Sequence, residues 1–358
     1  MTKRTKVILN IAAVVVFALF ILIANEVFDS YIKRVLNLCA IYTILGLSMN
    51  LVNGFTGLFS LGQAGFMAIG AYTVAIFTVP LEARAMIFYL KPMNAFLSGI
   101  HLPFIPALLL GGVIAAIIAG LVCSPVLRLR GDYLAIATLG LSEIIRIVFT
   151  NAQTITNGAL GIKNIPTISN LWWTWGIALL TIFFMILLIH SSYGRAFKAI
   201  REDEIAAEAM GISLFKHKVI SFMIGAFMAA IGGGLFAALL GTVDPKQFYF
   251  TLTYNFLLII VLGGMGSISG TIISAFIVTG GLEWLRFLDE PLSIGGINIA
   301  LFRPGLRMVV FSILLMVVVL FYRNGLMGQR EITWDTIGEF FKKLRTRKTQ
   351  DAKGGSLK

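Results

Sequence analysis

Residues 172–241 divide into three parts: WWTWGIALLTIFFMILLIH (172–190), SSYGRAFKAIREDEIAAEAMGISLFKH (191–217) and KVISFMIGAFMAAIGGGLFAALLG (218–241). The first and last parts are apolar runs close to the roughly 20 residues that a helix needs to cross a bilayer. The middle part carries five Lys or Arg and four Asp or Glu between Gly194 and Lys218. Apolar residues recur in it at roughly helical spacing, which predicts a short amphipathic helix between two membrane helices. An ordinary solvated loop is the alternative that composition leaves open.

The whole chain has the composition of a membrane protein. Only 13% of its 358 residues are charged, compared with about 25% in a typical soluble domain. The sequence predicts an all-α polytopic membrane protein with about ten transmembrane helices, broken or re-entrant at glycine-rich segments. The predicted spans lie at about 7–25, 35–52, 60–80, 104–127, 132–150, 172–190, 218–241, 254–268, 269–287 and 304–322.

The distribution of basic residues predicts the orientation of these spans. If the N-terminus is cytoplasmic and the chain crosses ten times, the cytoplasmic segments hold 19 Lys and Arg and the outer loops hold 8. Cytoplasmic loops normally carry this excess, so we predict that both termini lie inside, N-in and C-in. We divide the chain into a transmembrane domain, 1–322, which contains the charged cytoplasmic segment 191–217, and a basic cytoplasmic tail, 323–358. The net charge of +12 follows mostly from this topology and does not indicate nucleic-acid binding.

Two glycine-rich segments interrupt the apolar runs: NGFTGLFSLGQAG (53–65) and GGMGSISG (263–270). Broken helices leave backbone groups that only protein or a water-filled cavity can satisfy, and paired breaks often flank the path of a transporter. Close helix packing is the alternative for any single glycine. Residues 254–287 form either two short helices or one span plus a re-entrant segment. The candidate helix breaks are Gly54, Gly57, Gly62, Gly263, Gly264 and Gly266.

Ionisable residues inside spans are rare and costly, so they are candidates for function. They are Glu143, Arg146 and Arg307. Glu143 and Arg146 lie three residues apart on one predicted helix, where a structural ion pair is the first interpretation and a place in the translocation path is the second. Arg307 has no partner nearby in sequence. It either snorkels or pairs with Glu143 across the bundle.

No pattern in the sequence indicates catalysis. The chain contains no GxxxxGK[ST] phosphate-binding loop, no HExxH and no GxSxG. Cys39 and Cys123 lie inside predicted helices and the three histidines are scattered, so we predict neither a disulfide nor a metal site. We therefore predict a transport subunit and not an enzyme. It is either a facilitator or a subunit powered by a partner, and the charged segment favours the second.

Six segments carry a resemblance to a known family: GLSMNLVNGFTGLFSLGQAGFMAIGAY (46–72), LRLRGDYLAIATLGLSEIIRIV (127–148), TNGALGIKNIP (156–166), GRAFKAIREDEIAAEAMGI (194–212), VLGGMGSISGTIISA (261–275) and YRNGLMG (322–328). In them the chain resembles the LivM-type permease subunits of ABC importers for branched-chain amino acids, the LivH/LivM permease family. The segments at 127–148 and 194–212 are the most specific. Together the six cover most of the predicted membrane domain.

The resemblance implies a heteromeric importer in the cytoplasmic (inner) membrane. A periplasmic or surface-anchored binding protein would deliver leucine, isoleucine or valine to a path formed by this chain and a homologous second permease. Two ATPase subunits would bind ATP and Mg, so that this chain binds no cofactor of its own. A urea or short-amide importer of similar sequence is the alternative within the family. An autonomous channel or facilitator is the alternative of a different class.

The resemblance also implies a role for the charged segment. Residues 204–211, EIAAEAMG, look like the E-A-A…G motif that couples ABC permeases to their ATPases, with Glu208 and Gly211 as the nearest matches. We expect apolar side chains of the segment to dock on the ATPase and charged ones to fix the register. The expected docking residues are Phe197, Ile200, Ile205 and Met210, and the expected register residues are Arg201, Asp203, Glu204 and Glu208.

Overall fold

The computed structural model describes residues 3–127, 131–289, 293–294, 297–298, 305–321, 325–328 and 330–331. The chain divides into two units, one of residues 29–329 and one of residues 1–28 with 330–358. In the smaller unit the structure describes helix α1, Lys3–Val27. Most of the predicted tail, together with Arg128 and Arg130, lies outside the described residues.

Helices build the larger unit. They are α2 (Ser30–Met49), α3 (Gln63–Thr78), α4 (Leu81–Ile87), α5 (Ala95–Ser98), α6 (Phe104–Val126), α7 (Asp132–Asn151), α8 (Gln153–Thr156), α9 (Leu171–His190), α10 (Ser192–Glu202), α11 (Glu204–Ala209), α12 (Leu214–Leu240), α13 (Phe250–Gly263), α14 (Ile268–Trp284) and α15 (Leu306–Phe321). A π-helical turn, Asn50–Phe55, continues α2, and 3₁₀ turns lie at Gly158–Leu160, Pro245–Phe248 and Leu285–Asp289. Two strands, β1 (Ser293–Ile294) and β2 (Ile297–Asn298), pair antiparallel.

Six helical stretches among the described residues are long and apolar enough to cross a membrane. They are Ser30–Phe55, Phe104–Val122, Asp132–Asn151, Leu171–His190, Leu214–Leu240 and Ile268–Asp289. A seventh results if α3 and α4, which meet at 117°, form one broken span. Each of the ten predicted runs overlaps a helix, but α3, α13 and α15 have only 16, 14 and 16 residues. An all-helical membrane fold is thus confirmed, whereas the count of about ten crossings is not.

The centre of the bundle is the packing of α3 against α12, with α6 and α2 on the flanks. Glycine permits this contact. A Cβ on Gly70 would lie 1.9 Å from the carbonyl oxygen of Ala230, and one on Gly233 would lie 2.0 Å from that of Met67. Small residues at helix crossings allow backbones to approach closely, and association inside a bilayer relies on such packing. Almost all of α3 is consequently buried.

The second glycine-rich segment forms the tight corner of a helical hairpin. Helices α13 and α14 pack on each other, and a Cβ on Gly263 would lie 2.5 Å from the carbonyl carbon of Gly270. Gly264 and Gly266, at the corner, have φ of 110° and 89°, a region that favours glycine. Residues 254–287 thus form two helices, of which α14 with the turn after it, Ile268–Asp289, is long enough to cross a membrane and α13 is shorter, and both alternatives for this region stay predictions.

Two long loops, 81–103 and 151–171, which the predicted orientation places outside, are folded and joined to each other. Leu81–Pro103 contains α4 and α5, and the backbone N–H of Asn94 donates to the carbonyl oxygen of Thr154 in the other loop, at 3.0 Å. The buried guanidinium of Arg84 closes the first loop by donating to five carbonyl oxygens, at 2.7–3.3 Å. These acceptors are Ile76, Val79, Leu97, Ser98 and Ile100.

Candidate functional site

Most of the charged segment 191–217 folds into the two short helices α10 and α11, and its last four residues begin α12. The Ser191 hydroxyl caps α10 by accepting from the Gly194 N–H at 3.4 Å. The Asp203 carboxylate caps α11 by accepting from the N–H groups of Ile205 and Ala206, at 2.8 and 3.0 Å. Asp203 thus separates the two helices, since a capping carboxylate fixes the start of a helix. Gly211 follows α11 with a φ of 82°, which ends the second helix.

The apolar face of α10 lies against the chain's own membrane helices. Phe197 is fully buried in a cluster with Leu51, Phe55 and Met185, and Ile200 is buried as well. The expectation that Phe197 and Ile200 dock on another protein is therefore wrong. An amphipathic pattern indicates that one face is covered but does not identify the covering surface, and here the bundle covers it.

The other two expected docking residues remain accessible. Ile205 and Met210 are 80% and 83% exposed. Glu208 lies between them on α11, is exposed, and forms no hydrogen bond or ion pair with the described residues. We call Ile205, Glu208 and Met210 the coupling tip. The tip carries large exposed apolar side chains next to α10, whose apolar face is packed in the bundle. This arrangement suits contact with another protein.

Two of the predicted register residues bind groups of this chain. Lys218 donates to Glu204 at 2.5 Å, which ties α11 to the start of α12. Arg201 pairs with Glu202, and its Nη1 donates to the carbonyl oxygen of Gly54 at 3.1 Å. With Asp203 acting as a cap, Glu208 is the predicted register residue that faces outward without such a contact in the described part of the chain.

Arg201 lies where the two glycine-rich breaks meet. In the first break, the Gly54 carbonyl oxygen accepts the hydrogen bond from Arg201. Gly57 lies close to the same side chain, since a Cβ on it would lie 2.8 Å from the Arg201 Cγ. In the second break, a Cβ on Gly266 would lie 2.7 Å from Arg201 Nη1. A residue of the charged segment thus touches both breaks, a relationship that the sequence pattern did not reveal.

Asn50 joins the same two breaks from within the bundle. Its Nδ2 donates to the carbonyl oxygen of Ser267 at 2.9 Å and to Thr271 Oγ1 at 2.7 Å, and its Oδ1 accepts from Gly266 N–H at 2.8 Å. The buried Asn50 amide uses both its NH₂ group and its oxygen in hydrogen bonds. It thereby supplies partners to backbone groups that a broken helix leaves unpaired. Sequence reasoning missed Asn50, although a lone asparagine in an apolar run was a usable signal.

Close approach accounts for the candidate break glycines. A Cβ on Gly54 would lie 2.6 Å from Gly266 N, and one on Gly62 would lie 3.1 Å from the carbonyl oxygen of Thr138. A Cβ on Gly264 would lie 2.3 Å from the carbonyl oxygen of Gly328, in the turn at residues 325–328. These contacts agree with the packing interpretation of the glycines, and a role in the path stays a prediction.

Glu143 and Arg146 form the predicted ion pair on α7, with Nε 2.7 Å from Oε2. The other carboxylate oxygen of Glu143 accepts from the N–H of Phe250, the first residue of α13, at 3.3 Å. The guanidinium carbon of Arg146 lies 4.4 Å from the centre of the Tyr249 ring. The pair therefore connects α7 to the start of α13.

Arg307 does not pair with Glu143. Its Nε lies 2.8 Å from Oδ2 of Asp289, and its backbone N–H donates to Oδ1 of the same carboxylate at 3.2 Å. The N–H of Gly305 donates to that oxygen at 3.0 Å. Asp289 thus supports the start of α15 and neutralises Arg307, since a carboxylate is stabilising at a helix N-terminus.

Residues 31–320 match the family model described as the permease component of branched-chain amino acid transport systems. The chain is 37% identical over 298 residues to the high-affinity branched-chain amino acid transport system permease protein LivM of Escherichia coli K12, a match covering 73% of this chain and 66% of that protein. It is 24% identical over 338 residues to a probable LivM of Methanocaldococcus jannaschii, covering 84% and 94% of the two chains. It is 23% identical over 330 residues to LivH of Salmonella typhimurium, covering 86% and 99%.

The chain spans just under two thirds of the length of the Escherichia coli and Salmonella typhimurium LivM proteins, 66% and 65%. The comparison with solved structures found no match.

Proposed function

This chain belongs to the permease family of branched-chain amino acid transport systems, and we propose that it forms part of the translocation path of an ABC importer in the cytoplasmic (inner) membrane. Its substrates are leucine, isoleucine and valine. The observation that carries this proposal is the coupling tip, which lies exposed on helices whose other face is held by the membrane bundle. Such a tip suits a subunit that receives movement from a partner.

The proposed partners are inferred from the missing phosphate-binding loop and from the similarity of the chain to two kinds of permease. The sequence has no phosphate-binding loop, so ATP and Mg bind to separate ATPase subunits and this chain is not an enzyme. A homologous second permease completes the path, in line with the similarity of the chain to both LivM and LivH proteins. A binding protein outside the membrane supplies the substrate and contacts the folded outer loops.

The orientation of the chain is N-in and C-in, with about ten helices crossing or entering the membrane. The excess of basic residues in the segments assigned to the cytoplasm supports this orientation. It places α10 and α11 in the cytoplasm, where the ATPases are. The shorter helices α3 and α13 enter the bilayer as parts of broken spans, in which neighbouring protein satisfies the backbone.

We infer that coupling runs from the tip through Arg201 to the glycine-rich breaks. When the ATPases close, they displace the coupling tip together with the adjoining α10, and the bundle follows because Phe197 and Ile200 are packed in it. Arg201 carries the displacement to Gly54, and Asn50 carries it across to the corner of the α13–α14 hairpin. The membrane helices then reorient, and the two glycine-rich breaks act as the hinges.

The experiment is purification of the tagged full chain from its native membranes in mild detergent, followed by identification of bound proteins and reconstitution with the recovered binding protein. We expect an ATPase subunit and a second permease to copurify, and leucine uptake to require ATP. Recovery of the chain alone, with uptake that proceeds without ATP, would show a facilitator instead. Uptake of urea or short amides and not of leucine would overturn the proposal that branched-chain amino acids are the substrates.

A matched pair of variants tests the tip. We expect Ile205→Asp combined with Met210→Asp to lose the ATPase during purification, because two large apolar contacts become charged. The second permease should remain bound. Replacing Lys216, another exposed residue of the same segment, by Asp serves as the control and should retain the ATPase. Retention of the ATPase by the double variant would exclude the tip as its binding surface.

A further inference from the structure

Helix α7 forms an edge of the bundle. One side packs against α3, while Tyr133, Ile136, Ile144 and Ile147 are exposed on the other. Glu143 and Arg146 lie at the border between these sides, with side chains 22% and 17% exposed. A pair of charged groups is therefore open to the outside of the chain within a candidate membrane span.

The pair has unused capacity to bind a ligand. Arg146 bonds Glu143 through Nε, and its two terminal nitrogens form no hydrogen bond with any residue that the structure describes. A guanidinium presents five donors in a planar fork that matches a carboxylate. Glu143 accepts one long backbone hydrogen bond, at 3.3 Å, on the oxygen that does not contact Arg146. Both charges of the pair can thus accept a further partner.

An aromatic wall adjoins the pair. Tyr249 lies under the Arg146 guanidinium, and Phe250 donates its N–H to Glu143. Tyr254 follows one turn along α13, with its ring edge-on to Phe250 at 5.9 Å. All three residues are about 40% exposed, at 41%, 39% and 45%. The surface where α7 meets α13, which we call the cleft, thus offers two opposite charges beside apolar side chains.

This cleft does not suit lipid. Charged groups in spans face protein or water-filled cavities, because hydrocarbon offers their free donors no acceptors. We propose that the cleft lines the translocation path and briefly binds the head group of an α-amino acid. Arg146 takes the carboxylate, Glu143 takes the ammonium, and the rings of Tyr249, Phe250 and Tyr254 take the apolar side chain. This inference rests on the proposed importer function and adds its substrate-contacting residues.

Reversal of the charges separates binding from a structural role. The variant Glu143→Arg with Arg146→Glu keeps an ion pair and the net charge but exchanges the positions of acceptor and donor. We expect normal assembly, together with leucine uptake reduced about tenfold or more, as when charge-assisted contacts are lost. The control reverses Glu283 and Arg286, another Glu and Arg three residues apart. Uptake by this control should stay within about twofold of wild type.

A labelling experiment tests the surroundings of the cleft without measuring transport. In a chain with Cys39 and Cys123 replaced by alanine, Ile147→Cys places a thiol one residue beyond Arg146. A charged methanethiosulfonate reagent reacts only where water reaches the thiol. We expect labelling that leucine slows, whereas Leu180→Cys, exposed on the apolar surface of α9, should stay unlabelled.

The outcomes distinguish this inference from the proposed function. If the wild-type complex imports leucine with ATP and the reversed variant does so equally well, the cleft does not bind the head group, although the importer stands. Labelling of Ile147→Cys no faster than Leu180→Cys would also overturn the inference. Failure of the wild-type complex to import any amino acid would overturn the proposed function itself.

Discussion

The Nη1 of Arg201 donates a hydrogen bond to the carbonyl oxygen of Gly54 at 3.1 Å, across 147 residues of sequence. The first residue lies in the charged segment and the second in the break that follows α2. The carbonyl is available because Gly54 lies in the last turn of the helical segment that ends at Phe55, where carbonyl oxygens have no partner further along the helix. The contact is thus a direct mechanical link between a surface helix and a membrane break.

Removal of this link should uncouple transport while leaving the fold intact. We expect Arg201→Gln to reduce ATP-driven leucine uptake about tenfold or more, since a charge-assisted hydrogen bond contributes about 1.5–3 kcal/mol. Binding of the ATPase should persist because the coupling tip is unchanged. The measurement is uptake per ATP hydrolysed in proteoliposomes.

Arg195→Gln is the matched control for that variant. Arg195 lies on the same helix and bonds His190 and Ser192 within the charged segment and its flank, away from either break. It should retain the wild-type ratio of uptake to hydrolysis. A similar loss in both variants would assign the effect of Arg201 to general charge and not to its contact with Gly54.

The first break should tolerate no side chain at Gly54. A Cβ there would lie 1.8 Å from Asn50 Oδ1 and 2.6 Å from Gly266 N, and the latter is backbone that cannot rotate away. We expect Gly54→Ala to destabilise the chain by about 1–3 kcal/mol, the usual cost of overpacking. Thermal unfolding in detergent provides the measurement. Gly280→Ala, at a helical position with open space around it, should not destabilise the chain and should raise its stability by up to about 1 kcal/mol, because alanine favours a helix interior.

The sequence predicted local features of this region and missed how they combine. The Glu143–Arg146 pair followed from helical spacing, and the boundaries of 191–217 followed from charge. The contact of Arg201 with Gly54 depends on how the helices of the bundle pack together. Local patterns in a single sequence do not show that packing. The burial of Phe197 illustrates the same limit, since an apolar face packs equally well on a partner or on its own chain.

The partner of Arg307 was missed for a different reason. Asp289 lies 18 residues earlier, at the other end of the connection between the predicted spans 269–287 and 304–322, so sequence proximity did not suggest it. The count of about ten membrane crossings stays a prediction, because composition does not distinguish a short buried helix such as α13 from one that crosses the bilayer.

The bond between Lys218 and Glu204 should contribute to stability more than to coupling. Lys218 is only 8% exposed, so Glu204→Gln leaves its ammonium buried without a charged partner. We expect a loss of about 1–3 kcal/mol in unfolding free energy. Adding Lys218→Met should recover part of it, since an apolar replacement removes the unpaired charge.

Glu208→Gln supplies the comparison for that cycle. Glu208 is exposed on the same helix, and its neutralisation should leave the thermal midpoint unchanged while weakening coupling to the ATPase. If Glu204→Gln were as stable as Glu208→Gln, the pair with Lys218 would have no structural role.

Arg84 should hold the loop 81–103 closed, and lysine should not replace it. Five carbonyl oxygens, from Ile76 to Ile100, accept from the donors of one planar guanidinium. A lysine ammonium offers three donors on a single nitrogen and cannot reach acceptors on opposite sides. We expect Arg84→Lys to speed amide hydrogen exchange over residues 81–103 about tenfold or more, equivalent to about 1.4 kcal/mol of local opening. Lys91→Gln, at an exposed position of the same loop, should leave exchange unchanged. Equal exchange rates in both variants would mean that α4 and α5 hold the loop without the arginine.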